Sequence, residues 1–255
     1  MDRVIELVAP PMETAAESPT NARLFELYHT FSRRPTVEDR RARSTIFRSL
    51  RRVLRGWLPV DRATPILDIA CGEGSLLALL KELGYTDLAG FDISRENVEI
   101  CHRMGLGFVQ QFDALRLAEM PGLGRYGAIY AMDVLEHLPK PRIVGFVERT
   151  RQFLLPGGHL VIQAPNMGNL LACCHLHQDL SHEFGLTEKT AVDLLLMAGF
   201  PANRIELRPC WNATTFSGYL RELYLSALHR LVWLSEQSGR PAIPTANLLV
   251  RGGMP

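Results

Sequence analysis

Short apolar bursts alternate along most of this chain with stretches whose apolar residues recur at helical spacing. Ile66–Ala70, Asp87–Phe91, Phe108–Gln111, Ala128–Met132, His159–Ala164, Arg204–Leu207 and Asn247–Val250 read as strands. Ser75–Leu83, Arg95–Met104, Arg142–Leu155 and Thr187–Ala198 read as helices, with Pro156-Gly157-Gly158 and Gly199 as stop signals. This alternation predicts an α/β fold: a doubly wound, seven-stranded, mostly parallel sheet with helices on both faces.

Two segments fall outside that rhythm. Between Val37 and Leu58 the pattern is helical, with Ile46, Leu50, Val53, Leu54 and Trp57 on one face and Arg41, Arg43, Arg48, Arg51 and Arg52 on the others. The bland reading is a packed helix with a solvated basic face; the alternatives are a lid over a site or a membrane-surface contact. Because this helix immediately precedes the first core strand, one of its arginines is expected to face the site. Late in the chain, Ala213–Gln237 carries Leu220, Leu223, Tyr224, Ala227, Leu228 and Leu231 at helical spacing, then Trp233 and Leu234. It predicts a helical insertion at about 213–238, packed on the sheet edge or over the cleft. Residues 1–36, with Pro10-Pro11 and Pro19 among small polar residues, read as a loosely ordered arm, and 37–255 as one domain.

Charge is nearly balanced at +1, so no global field points to DNA or to an anionic surface; the arginines from Arg33 to Arg55 are a local bias. Five scattered cysteines without paired spacing suit a reducing compartment better than a disulfide framework. The first 20 residues lack a basic start followed by an apolar run, and no stretch reaches the roughly 18 apolar residues of a membrane span. A soluble, cytoplasmic protein is expected, with a homodimer left open.

The most informative stretch is Ile66-Leu67-Asp68-Ile69-Ala70-Cys71-Gly72-Glu73-Gly74-Ser75, a strand that ends in a glycine-rich turn and opens a helix. Gly72 and Gly74 let backbone approach a ligand closely. A nicotinamide dinucleotide is disfavoured: its fingerprint needs a small residue where Leu77 stands, and Asp68 would repel a pyrophosphate. A ligand with an ammonium for Asp68 and a carboxylate for the helix N-terminus matches the charges. Asp92 ends the second strand, where an acid accepts from two ribose hydroxyls, and Asp113 follows the third, where an acid accepts from an adenine amine.

This succession resembles the class I S-adenosylmethionine-dependent methyltransferases from about Pro65 to Gly199, and implies their Rossmann-like fold and S-adenosyl-L-methionine as cofactor. Asp68-Ile69-Ala70-Cys71-Gly72-Glu73-Gly74 is similar to their first motif, with alanine in place of its usual first glycine. Ala131-Met132-Asp133-Val134-Leu135-Glu136-His137 resembles their fourth-strand motif, and Leu155-Pro156-Gly157-Gly158 the turn before their fifth strand. Asp68, Ala70, Cys71, Gly72, Gly74, Asp92, Ile93, Asp113, Ala114 and Met132 are the residues expected at the cofactor.

Catalytic assistance is expected from His137 and His182, since a histidine is suited to proton removal near neutral pH. Asp133, Glu136, His137 and His182 are also similar to the metal-binding motifs of small-RNA terminal 2′-O-methyltransferases, and the first three to ubiquinone-pathway O-methyltransferases. That resemblance implies a divalent ion as an alternative to a simple base, with Asp133 a shorter arm than the usual glutamate. Cys173, Cys174, His175 and His177 lack the separated pairs of a structural zinc site and read instead as lining the acceptor pocket. The later segments resemble bacterial methyltransferases of saccharide and natural-product pathways. The expected activity is therefore O-methylation of a small-molecule acceptor, a saccharide or secondary metabolite. The alternatives are an RNA ribose 2′-O-methyltransferase, without the separate RNA-binding module such enzymes call for, and a non-catalytic, cofactor-binding regulatory subunit.

Overall fold

The computed structural model describes residues 24–25, 37–120, 122–235 and 241–255. The expected arm over 1–36 lies outside them, save for Leu24 and Phe25, which are helical.

The first helix, α1 (Arg40–Val53), is capped by Asp39, whose carboxylate accepts from the Arg41 and Ala42 amides. Alternation then proceeds as β1 (Ile66–Ile69), α2 (Ser75–Glu82), β2 (Leu88–Asp92), α3 (Arg95–Arg103), β3 (Gln110–Gln111), β4 (Tyr126–Met132), α4 (Ile143–Gln152) and β5 (Leu154–Pro165). The short α5 (Ala172–His177), α6 (Glu188–Met197), β6 (Ile205–Pro209), α7 (Phe216–Val232) and β7 (Asn247–Gly253) complete it. The strands lie in the order β3-β2-β1-β4-β5-β7-β6. β7 runs antiparallel to both β5 and β6; the pairings among β1 to β5 are parallel. A doubly wound, seven-stranded, mostly parallel sheet is what the periodicity predicts. The third strand is shorter than expected, because Phe108 and Val109 belong to the turn before it.

Side-chain alternation distributes the core to both faces of the sheet. Leu67, Ile69, Ile129, Ala131, Leu160 and Ile162 pack with Phe146 of α4 and Leu195 of α6. Ile66, Ala128, Tyr130 and Val161 pack on the other face with Trp57 and with Leu76 and Leu80 of α2. Central strands buried on both faces are mostly apolar, which is why they read as bursts rather than as alternating patterns; Asp68 near the end of β1 is the exception that the site uses.

The order β2-β1-β4 puts a change of winding direction between β1 and β4, so their carboxyl ends open onto a crevice. Backbone strain concentrates there. Ala70 follows β1 at φ 53° and Asp133 follows β4 at φ 53°, the two non-glycine residues in the left-handed region among those described. At Ala70 the Cβ penalty, about 1–2 kcal/mol, exceeds the roughly 0.4–1 kcal/mol by which glycine favours the unfolded chain. Ala70→Gly is therefore expected to hold or raise stability by up to about 1 kcal/mol. A clear fall in denaturation midpoint would show that the turn is not strained by its side chain.

Candidate active site

The cavity at the crevice has a volume of about 300 Å³. Its wall includes Asp68, Ala70, Cys71, Gly72, Asp92, Ile93, Asp113, Ala114 and Met132, nine of the ten residues expected at the cofactor. Gly72, at φ 57°, has nothing within 4 Å of where a Cβ would stand, so its backbone is open to close approach. The tenth residue, Gly74, lies off that wall. It starts α2 at φ 78°, and a Cβ there would come within 2.6 Å of Leu106 Cδ1 and 2.9 Å of Cys101 Sγ. Both its left-handed backbone and the packing behind the loop therefore favour glycine at this position.

Asp92 holds this loop together. Its Oδ2 accepts from the Gly72 amide at 2.8 Å, and its Oδ1 from the Ser94 amide at 2.9 Å and Asn97 Nδ2 at 3.1 Å. Burial raises its carboxyl above the ordinary aspartate range, against those donors, which pull it down. Asp68 is also buried, and desolvation, then the nearby negative charge of Asp92, raise it well above its ordinary value. A cationic ligand group beside Asp68 would relieve both effects. Asp113 caps the turn after β3 by accepting from the Leu115 amide at 2.9 Å, while Phe112 and Ala114 beside it line the cavity.

Expected residues divide at the acceptor end. His137 lines the cavity and is buried. Its Nδ1 lies 2.8 Å from Ser181 Oγ, and Ser181 Oγ donates to Asp179 Oδ1 at 2.6 Å. Since the single Ser181 hydroxyl hydrogen is committed to a carboxylate, Nδ1 must be the donor. That fixes the tautomer, leaving Nε2 as the acceptor nitrogen of the neutral ring. His182 sits against this ring, with centroids 4.8 Å apart, and its buried Nδ1 has no hydrogen-bond partner. Glu136, His137 and His182 can bring one ligand atom each within 4.8 Å of one another, a spacing that fits a divalent ion.

Asp133, the short-armed candidate of the metal alternative, is not grouped with them. Its carboxylate accepts from Gln163 Nε2 at 2.7 Å and from Asn247 Nδ2 at 2.8 Å, which turns it toward β5 and β7. The arginine expected to face the cavity is absent from its wall as well: α1 contributes Leu50. Cys173, Cys174, His175 and His177 form α5 and are not part of the cavity lining. Sequence reasoning missed Phe25, Gln163, Ser181 and Asp179. Ser94 and Asn97 had a usable signal, because Ser94 stands at the N-cap directly after the Asp92 strand end. Phe25 had none; its ring meets that of His137 edge-on at 6.0 Å, across more than 100 positions of sequence.

Comparison with known proteins agrees with this geometry. Residues 37–223 match the family described as a methyltransferase domain. The ubiquinone biosynthesis O-methyltransferase of Proteus mirabilis is 29% identical over 107 residues, covering 40% of this chain and 42% of that protein. The chain thus matches less than half the length of such curated relatives. Among solved structures, a SAM-dependent methyltransferase from Archaeoglobus fulgidus superposes with a TM-score of 0.62 at 20% identity, covering 89% of this chain and 99% of the other. Another from Thermotoga maritima has a TM-score of 0.59 at 15% identity, covering 91% and 99%. With the family matched over most of its length and the sheet order, cavity and acid positions in place, the chain belongs to the class I S-adenosylmethionine-dependent methyltransferases.

Proposed function

We propose that this protein transfers the methyl group of S-adenosylmethionine to a hydroxyl of a small-molecule acceptor, a saccharide or secondary metabolite, with His137 as the base. The carrying observation is the Asp179–Ser181–His137 chain, which fixes the proton on Nδ1 of a ring that lines the cavity. Oxygen as the methylated atom is supported by the Proteus relative, which is named an O-methyltransferase.

In this reading Asp68 receives the ammonium of the methionine moiety, Asp92 the ribose hydroxyls and Asp113 the adenine amine. The cofactor supplies an electrophilic methyl on sulfur, so transfer is an in-line displacement in which positioning provides much of the rate. As the acceptor oxygen attacks, its proton passes to His137 Nε2. The imidazolium that results is stabilised through Ser181 by the Asp179 carboxylate, which the Ser181 donors and the neighbouring histidines hold below its usual range against the opposing effect of burial. A metal held by Glu136, His137 and His182 is the second reading, favoured by their convergence and by the unpartnered His182 Nδ1. Such an ion would lower the pKa of the acceptor hydroxyl.

Asp92→Ala is expected to weaken cofactor binding by roughly 1–3 kcal/mol in calorimetry, the cost of unpaired ribose hydroxyls. Unchanged affinity would remove Asp92 from the ribose.

Cofactor affinity should also depend on pH through Asp68. Its raised pKa means that the carboxyl holds its proton at pH values where an ordinary aspartate is ionised. Affinity should therefore strengthen as pH rises through that raised pKa and level off above it. Asp68→Asn should bind more weakly and lose this dependence; a wild-type affinity flat down to the ordinary aspartate range would contradict the ammonium assignment.

His137→Ala is expected to lower kcat by about 100-fold or more while sparing cofactor affinity. Chelator treatment followed by add-back of magnesium, manganese or zinc separates the two readings. Full activity in chelator excludes the ion, and wild-type rates in both His137→Ala and His182→Ala would exclude the base.

A further inference from the structure

The late helix forms where the pattern predicts it, yet its apolar stripe is not core. Its inner side is held by Glu222 and by the buried His229, whose Nε2 lies 2.9 Å from the Pro241 carbonyl. On the outer side Phe216, Leu220, Leu223, Tyr224 and Leu231 fall within about 100° around the helix. They are 78%, 51%, 68%, 64% and 65% exposed. A continuous apolar stripe of this kind on a surface marks an interaction site.

The charge beside it identifies what it would meet. Arg52 joins α1 to α7: its guanidinium pairs with Glu222 at 2.7 Å, donates to the Ala213 carbonyl and lies 4.5 Å from the centre of the Tyr219 ring. Arg41, Arg48 and Arg52 are spaced seven and four residues apart, so they follow one stripe of α1, the stripe that leads to α7. Arg221 and Arg230 are exposed on α7 itself. Among the described residues, no carboxylate pairs with Arg41, Arg48, Arg221 or Arg230. The only acid within α1 and α7 is Glu222, which Arg52 already occupies.

We infer that the outer faces of α7 and α1 form a docking surface for an anionic phospholipid bilayer, with the α7 stripe entering the interface and the arginines meeting lipid phosphates. Exposed apolar residues flanked by unpaired arginines are the two elements such a surface needs. A second copy of the chain would bring like charges together, and a nucleic acid would leave the leucines without a role. Because α1 also supplies Leu50 to the cavity, the docked surface and the cavity share one helix.

Flotation of the full chain with vesicles of phosphatidylcholine, with and without phosphatidylglycerol, tests this. Binding is expected to the anionic vesicles, at least about tenfold over the neutral ones and weakened by added salt. Leu223→Glu combined with Leu231→Glu should reduce it about tenfold, and Arg41→Ser with Arg48→Ser should reduce it and flatten its salt dependence. Both variants should keep wild-type cofactor affinity, since neither pair lines the cavity. No vesicle binding, equal binding to neutral vesicles, or binding indifferent to both variants would overturn the inference. So would a vesicle-indifferent dimer that the leucine variant dissociates, or RNA binding that the arginine variant alone abolishes without vesicle binding.

Discussion

Two carboxylates buried side by side at the ends of neighbouring strands set the terms for the rest of this molecule. Removing Asp68 and Asp92 from water is costly, and the charge of Asp92 raises Asp68 further. The fold accepts that cost at one place, the change of winding beside β1, where loop amides can be aimed at a carboxylate. Gly72 and Ser94 supply those amides and Asn97 a side-chain donor, so Asp92 is the fixed post around which the cradle is wound. Asp68 carries the unbalanced share. A cation beside Asp68 would offset that imbalance, which is the electrostatic ground of the ammonium assignment proposed above.

The features legible in the sequence were those governed by local chemistry. Strands buried on two faces are mostly apolar bursts, and the glycine-rich turn must break them, so the sheet and the Asp68–Ser75 loop could be read directly. Gly74 shows the limit of such reading: the turn explains its left-handed backbone, but the closeness of Cys101 and Leu106 behind it is visible only once the chain has packed. Asp133 shows it again. Its spacing from Glu136 and His137 suits a shared ligand set, yet the left-handed backbone and the amides of Gln163 and Asn247 turn it aside. Asn247 is 114 residues distant, and no local pattern encodes that partnership. The α7 stripe failed for a different reason: helical periodicity establishes that a face is apolar but not what covers it.

Around His137 the tautomer is set by one hydroxyl hydrogen. Ser181 cannot donate both to Asp179 and to His137, and the carboxylate is the stronger acceptor, so the imidazole must donate through Nδ1. Whichever group faces Nε2, a substrate proton or an ion, the histidine meets it with the same lone pair. The proton and metal readings thus share one supporting structure, Asp179 and Ser181, and differ only in whether Glu136 and His182 act with His137. The buried Nδ1 of His182, which has no hydrogen-bond partner, is the feature that favours the metal reading.

The N-terminal helix connects the two ends of this argument. Its faces are assigned separately: Leu50 lines the cavity, Phe47 and Val53 are buried, and Arg40, Arg41, Arg48 and Arg51 are exposed. Arg51 is tied to Glu82 of α2 and Arg52 to Glu222 of α7, so the helix is clamped between the cofactor-binding half and the late insertion. The Arg51 pair is exposed and adds little to stability, whereas the Arg52 fork is bidentate, partly shielded and stacked on Tyr219, the geometry in which an ion pair fixes orientation. The insertion departs from the βα rhythm of the domain, yet a bidentate ion pair joins it to the helix that supplies Leu50 to the cavity wall.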